Sequence, residues 1–286
     1  MSEIVVGVDG SPGAAHALRW AVAESAVRGA DVVALMTWGY LDQRHPDGTE
    51  FEPGYDESDA ARALEVFVSS AIGQSPVPVE RRLRNDLVTP ALLEAGRDAE
   101  LLVLGARGLG GFRGLLLGSV SQACIHHAPC PVAIVRERAS EEIVAPDRVV
   151  VGVDGSAGSR AALEWAVGEA RFRHAPLQGL HAWDWPQMVG YPLGVDLDPT
   201  LCRDGAEHLL DAELVRALGS GPELSIERTV LPANPATALI DASRDAGLVV
   251  VGTRGIGGFP GLLLGSVSHQ VTQHASCPVI VVPQPE

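Results

Sequence analysis

The sequence predicts an α/β protein made of two tandem, doubly wound domains, each built on a five-stranded parallel sheet. The main support is an internal duplication, because the segment VVGVDGS at residues 5–11 returns at residues 150–156. Within each copy, short β-branched runs alternate with segments of helical periodicity, and crossovers of this kind give parallel strands with helices on both faces. The length of 286 residues accommodates two such domains. We therefore expect domains over 1–138 and 146–286, joined by a polar linker.

The first half opens on a buried strand over residues 3–9, where β-branched residues follow one another. Ser11 then supplies an N-cap and Pro12 the first helical position, so a helix with one apolar face is expected over 13–28. The remaining elements follow from apolar runs and helical periodicity. They are a strand over 31–38, a helix from about Asp56 to Ile72, a strand over 79–84, a helix over 88–98, a strand over 100–104, a short helix over 119–127 and a strand over 131–135.

The second half repeats this order, with strands near 148–153, 177–182, 224–230, 247–251 and 278–282. Parallel sheets of this type bind ligands beyond the carboxyl ends of their strands, where the strand order reverses. Asp9 ends the first strand and Gly105 ends the fourth. If these strands flank the reversal, both residues face one crevice. The long loops 39–56 and 184–200 border that crevice and are either lids or disordered segments.

The composition excludes several classes of function. The net charge of −15 argues against a nucleic-acid groove, which needs a basic surface. All 21 basic residues are arginine, which rules out a Schiff-base lysine and the lysine of a Walker loop. The longest apolar runs fall far short of the ~20 residues of a membrane helix, and the N-terminus has no signal-peptide pattern. We expect a cytoplasmic protein with no membrane partner, whose four cysteines are free thiols.

A glycine-rich segment with the spacing Gly-x-x-Gly-x9-Gly-Ser follows the fourth strand of each half. Its defined positions are Gly105, Gly108, Gly118 and Ser119 in the first copy and Gly252, Gly255, Gly265 and Ser266 in the second. Glycine lets a backbone approach phosphate oxygens without a Cβ in the way. A serine at the cap or first turn of the next helix lies where unpaired N–H groups attract anions. The segment is either a phosphate-binding loop or a turn that packs the fourth strand against the last helix.

These features resemble the universal stress protein family in its tandem two-domain form. The glycine spacing matches the ATP-binding signature of that family, and the Val-Asp-Gly-Ser segment and the closing Cys-Pro-Val strand are also similar. The resemblance spans nearly the whole chain and implies the strand order 3-2-1-4-5 in each half. It also implies one ATP site per half. The residues concerned are Gly7, Asp9, Thr37, Gly105, Gly108, Gly118, Ser119 and Val120 in the first half and Gly152, Asp154, Ala182, Gly252, Gly255, Gly265, Ser266 and Val267 in the second.

The resemblance also assigns roles within each site. The two aspartates contact the adenosine, and the glycine two residues before each leaves room for it. The backbones of Thr37 and Ala182 meet the adenine edge, and the glycine-rich segment holds the ribose and the phosphates. Arg107 and Arg254 share one loop position and either contact a phosphate or remain solvated. The two loop serines are phosphorylation sites or, more simply, helix caps that contact phosphate.

No catalytic or metal-binding residue is expected. His127 and His274 each end a helix, where a histidine interacts favourably with the helix dipole. The sequence contains no HExxH motif of a metalloprotease and no GxSxG nucleophile motif. Nothing else has the spacing of a metal site or of a placed general base for hydrolysis.

The resemblance makes an ATP-binding stress-response protein the leading hypothesis, acting as a sensor or regulator with little or no hydrolysis. ATP is expected together with Mg2+. One alternative is a slow ATPase or nucleotidyl transferase, although the HxGH motif of the related transferases is absent. Another is a structural interaction protein that binds no nucleotide.

The apolar last strands, residues 132–135 and 279–282, would be exposed edges unless another strand covers them. We therefore expect the two halves to pair about an internal pseudo-twofold axis. A further homodimer and an unknown protein effector are the other expected partners.

Overall fold

The chain forms two compact units. A computed structural model describes residues 2–38, 55–109, 116–136, 148–183, 199–219, 221, 223–256 and 264–284. Unit 1 consists of residues 1–142 and 278–283, and unit 2 consists of residues 143–277 and 284–286. Most of the two candidate lids, residues 39–54 and 184–198, lies outside the described part of the chain.

Unit 1 alternates strands and helices in the predicted order. Its elements are β1 (Glu3–Gly7), α1 (Pro12–Arg28), β2 (Asp31–Trp38), α2 (Glu57–Ile72), β3 (Val79–Asn85), α3 (Val88–Ala95), β4 (Ala99–Gly105), α4 (Ser119–His127) and β5 (Val132–Val135). The strands lie side by side in the order β3-β2-β1-β4-β5, and all four pairings are parallel. The strand order 3-2-1-4-5 is therefore confirmed in this unit.

Unit 2 repeats the arrangement. Its elements are β6 (Val149–Gly152), α5 (Ala157–Phe172), β7 (Leu177–Trp183), α6 (Pro199–Leu218), β8 (Ile226–Pro232), α7 (Pro235–Ala242) followed by a short 3-10 helix (Ser243–Asp245), β9 (Leu248–Gly252) and α8 (Ser266–His274). Its strands lie in the order β8-β7-β6-β9, with parallel pairing throughout. The strand order therefore reverses between β6 and β9, as it does between β1 and β4.

The last strand, β10 (Val279–Val282), groups with unit 1 and not with the half that precedes it. It pairs antiparallel with β5, with Ile280 opposite Ala133. Both residues are fully buried. The expected pairing of the two apolar last strands is thus present, because each covers an edge that water would otherwise reach.

Local sequence explains where α1 begins and ends. The side chain of Ser11 accepts a hydrogen bond from the N–H of Ala14 at 3.1 Å, and Pro12 occupies the first turn. Gly29 ends the helix in the left-handed conformation, at φ 68°, which glycine adopts without strain. In unit 2 the hydroxyl of Ser156 caps α5 in the same way, by accepting from the N–H of Ser159 at 3.1 Å.

Several predicted boundaries differ from those observed. The first strand ends at Gly7, two residues early, because the chain turns at Asp9, whose carboxylate accepts from the N–H of Ser11. Helix α3 ends at Ala95 and not at residue 98, since the N–H of Arg97 bonds the nearer carbonyl of Glu94 and tightens the last turn. Strand β8 lies two residues later than predicted. In the part of the chain that the structure describes, no helix is both long and apolar enough to cross a membrane.

Candidate functional site

A cavity of about 470 Å3 lies at the carboxyl ends of β6, β7 and β9 in unit 2. It is lined by every second-half residue that the sequence assigned to a site: Gly152, Asp154, Ala182, Gly252, Arg254, Gly255, Gly265, Ser266 and Val267. The rest of its wall consists of residues that the sequence did not single out: the apolar Val153, Leu180, Pro235, Leu239, Val251 and Leu264, and the polar Ser159 and Ser268. The lining thus combines an apolar surface with a few convergent polar groups, as small-molecule sites do.

The first-half residues occupy the matching positions of unit 1. Asp9 follows β1, Thr37 lies near the end of β2, and Ser119 and Val120 begin α4. The Cα of Arg107 and the N–H of Gly108 lie within 4 Å of the place where a Cβ on Gly118 would stand. The two arms of the loop therefore meet at the start of α4.

Each aspartate joins the end of a strand to the glycine-rich loop. Oδ1 of Asp9 accepts from the N–H of Ser11 at 3.0 Å, and Oδ2 accepts from the N–H of Leu109 at 2.8 Å. Asp154 repeats this with Ser156 at 2.9 Å and Ile256 at 3.0 Å. The carboxylates thus hold the loop in place, a role that the sequence did not predict. Burial raises the pKa of Asp154, but hydrogen bonds from Ser156, Ile256 and Ser159 lower it, and the pKa stays below its usual value.

Two glycines of each loop are required by packing. A Cβ on Gly105 would lie 2.7 Å from the carbonyl carbon of Gly13 in α1, which is far too close for two carbons. A Cβ on Gly108 would overlap Oδ2 of Asp9. The second copy has the same two conflicts, between Gly252 and Gly158 and between Gly255 and Asp154.

The third glycine of each loop has no such neighbour among the described atoms. Gly118 and Gly265 are the N-caps of α4 and α8 with ordinary extended backbone, at φ −74° and −75°. A Cβ would lie at least 3.7 Å from its surroundings at Gly118 and 3.5 Å at Gly265. Both positions accommodate a Cβ among the described atoms, and an N-cap favours serine, aspartate or asparagine at least as much as glycine. The described part of the fold therefore does not explain why glycine is present there.

The start of each helix is fixed by a serine that the sequence did not single out. The hydroxyl of Ser121 donates to the carbonyl of Gly105 at 2.8 Å, and that of Ser268 donates to Gly252 at 2.6 Å. These bonds hold the first turns of α4 and α8 against the ends of β4 and β9. The only sequence signal was their repetition at the same offset as the glycine loop.

The remaining predicted residues fall into two groups. Arg107 and Arg254 are exposed next to the loops, and Arg254 lines the cavity. His127 and His274 are exposed at the far ends of α4 and α8, away from the serines that begin those helices. Gly7 faces Leu104, whose side chain would lie 2.6 Å from a Cβ, so packing between β1 and β4 explains this glycine.

Comparisons with known proteins agree on one family. The model of the Universal stress protein family matches residues 1–136 and 146–283. A universal stress protein of Mycobacterium tuberculosis is 36% identical over 97% of this chain and 95% of its own, and one of Mycolicibacterium smegmatis is 33% identical over 98% and 96%. In fold, a solved universal stress protein from Archaeoglobus fulgidus matches with a TM-score of 0.68 at 20% identity, covering 99% of this chain and 98% of its own.

Proposed function

The chain belongs to the universal stress protein family, and on that premise we propose that it is an ATP-binding regulator with one nucleotide site in each half. The observation that carries the proposal is the pair Gly118 and Gly265. Among the residues that the structure describes, a Cβ meets only ordinary contacts at both positions, so the proposal explains these glycines by a ligand that needs the space. The cavity beside Gly265 supports this, because its polar groups converge at the start of α8.

In the proposed complex, the phosphates lie against the first turns of α4 and α8. The hydroxyls of Ser119 and Ser266 and the N–H groups of Val120 and Val267 are the donors, and the positive ends of the helix dipoles add to the attraction. The adenine lies against the ends of β2 and β7, beside Thr37 and Ala182, and the ribose lies near Asp9 and Asp154. Mg2+ enters with ATP and neutralises part of the charge of the triphosphate.

We further propose that the nucleotide is hydrolysed slowly or not at all. Asp154 is the carboxylate of the cavity, and its two oxygens already accept hydrogen bonds from the backbone. Its lowered pKa makes it a weak base. A protein of this kind acts through binding, so a protein effector in the cytoplasm is part of the proposal.

The test is the double variant Gly118→Ala/Gly265→Ala, titrated calorimetrically with ATP in the presence of Mg2+. We expect ATP affinity to fall at least tenfold while the unfolding temperature stays within a few degrees of wild type, because the added methyl groups meet ATP and not the protein. The matched control is Gly205→Ala, the same change in an exposed turn of α6 where a Cβ meets nothing within 4 Å. Unchanged ATP affinity in the double variant, or no ATP binding by wild type, would refute the proposal.

A further inference from the structure

The two halves differ at the residue that follows their last strand. Arg136 follows β5 in the first half, whereas Pro283 holds the matching sequence position in the second, at the same offset of 147 that relates the glycine loops. The glycines, the loop arginine and the helix-starting serine are identical in both copies. The difference therefore adds one cation to the first half only.

Hydrogen bonds place Arg136 at the glycine-rich loop. Its Nη2 donates to the carbonyl of Leu116 at 3.2 Å, two residues before the N-cap Gly118. The N–H of Gly118 donates to the carbonyl of Ala106 at 2.8 Å, and the N–H of Ala106 donates to Val135 at 2.9 Å. The end of β5, the end of β4 and the start of α4 are therefore linked, and the guanidinium lies beside the arm of the loop that leads to Ser119.

Arg136 has a second cation for a neighbour. Burial and, to a smaller extent, the like charge of Arg107 together lower the pKa of Arg136 to about 10. Two arginines that disfavour each other's charge are stabilised when an anion binds between them. Guanidinium groups bind phosphate oxygens through paired N–H donors, so both the charge and the geometry suit a phosphate chain.

Among the described residues, the cavity of unit 2 has fewer cationic side chains than the glycine-rich loop of unit 1. Among the residues that line its cavity, Arg254 is the cation, and Asp154 brings a negative charge to the same wall. In unit 1 the glycine-rich loop has two cations, Arg107 and Arg136, close enough for the charge of one to act on the other, and Arg136 is bonded to the loop at Leu116. A ligand with more phosphates therefore gains more at the first site than at the second.

We propose that Arg136 makes the first-half site selective for nucleotides with longer phosphate chains, whereas the second-half site discriminates less among ATP, ADP and AMP. This inference rests on the proposed nucleotide binding and adds a difference in nucleotide selectivity between the two sites. The first half responds to the triphosphate, and the second half responds to the adenine nucleotide pool more evenly.

The experiment uses full-length chains with one site disabled. Gly265→Ala leaves the first site and Gly118→Ala leaves the second, and each protein is titrated with ATP, ADP and AMP in the presence of Mg2+. We expect the ratio of AMP to ATP dissociation constants to be at least tenfold larger for the Gly265→Ala protein. Adding Arg136→Gln to that protein should reduce the ratio to that of the other site, and Arg136→Lys, which keeps the charge but loses the paired donors, should give an intermediate ratio.

The matched control is Arg97→Gln in the same background. Arg97 is exposed and precedes the amino end of β4, so it lies at the end of the sheet opposite the loop, and its loss should leave the ratio unchanged. Equal ratios at two sites that both bind nucleotide would overturn the inference while leaving the proposed function intact, and so would a ratio that Arg136→Gln and Arg136→Lys leave unchanged in folded protein. Loss of all nucleotide binding in wild type would instead remove the proposed function.

Discussion

Gly105, Gly108 and Gly118 belong to one motif, yet they have different physical reasons to be glycine. Gly105 and Gly108 lack room for a Cβ because Gly13 and the carboxylate of Asp9 occupy it. Gly118 has that room. The spacing alone left open a phosphate-binding loop and a packing turn for all three, because a sequence motif does not reveal contacts with residues far away along the chain. The packing conflicts explain two of the glycines through the fold, and the third, which the described contacts do not explain, is the basis of the proposed nucleotide site.

Asp154 should make stability depend on pH through its bonds to the loop. Its carboxylate has a lowered pKa in the folded protein, since the hydrogen bonds outweigh burial, which raises it. A lowered pKa gives full stabilisation above the unfolded value of ~3.9, and this stabilisation is lost as the pH falls through the folded value. We expect Asp154→Asn to reduce the free energy of unfolding by about 1–2 kcal/mol at neutral pH, because one bond to the loop loses its charged acceptor.

Urea unfolding of wild type and Asp154→Asn across a series of pH values measures this effect. The difference between the two proteins should be constant from neutral pH down to about pH 5 and should shrink below about pH 4. The exposed residue Asp98 provides the matched control, as Asp98→Asn. A difference that persists unchanged at the lowest pH would show that the carboxylate charge is not what holds the loop.

Helix α1 carries a buried ion pair that the apolar periodicity of its sequence did not predict. Nε of Arg28 lies 2.7 Å from Oε1 of Glu24, and Arg28 also contacts Glu100 of β4. The side chains of Arg28 and Glu24 are 3% and 2% exposed. A similar pair, Glu169 and Arg173, lies at the end of α5 in the second half, where Glu169 is fully buried and Arg173 is partly exposed.

Arg28→Met should destabilise the protein strongly. The substitution leaves the carboxylate of Glu24 buried without its cation, and breaking a buried pair in this way costs about 3–5 kcal/mol. Replacing both partners, as Glu24→Leu/Arg28→Met, removes the uncompensated charge and should recover most of that loss. The free energy of unfolding from urea titration is the measurement. A single variant as stable as wild type would mean that water or another group solvates Glu24.

The predicted bounds of β2, β3, β4 and β9 agree with the observed ones to within about one residue at each end, whether the strand is buried or, like β3, mostly exposed. Strands β4 and β9 have nearly continuous burial, and their sequences are apolar runs with clear ends. Strand β8 consists of exposed and partly exposed residues, so no buried apolar run fixed its bounds, and the prediction was displaced by two residues. The polar contacts of Ser121 and Ser268 were missed for a related reason, because they form only when a helix start meets a strand end.

The division of the chain into domains depends on the last strand. The sequence duplication predicts a boundary between residues 138 and 146, whereas β10 groups with unit 1, in which it pairs with β5. A sequence duplication shows which half a strand descends from, whereas the compact unit to which the strand belongs depends on the sheet edge with which it pairs. An apolar strand at a sheet edge exposes unpaired N–H and C=O groups, and β5 is such a strand until β10 pairs with it.

A fragment of residues 1–138 should therefore associate through β5. Without β10 its apolar edge lies open, and a second copy of β5 supplies the same kind of antiparallel partner. Light scattering on the purified fragment should give the mass of a dimer. The control is a mixture of the fragment with the full-length chain, in which β10 already pairs with β5, so light scattering should detect no complex between the two. If the bare fragment is a folded monomer at every concentration that stays in solution, then β5 tolerates an open edge, and the pairing with β10 serves to join the two halves of the chain instead.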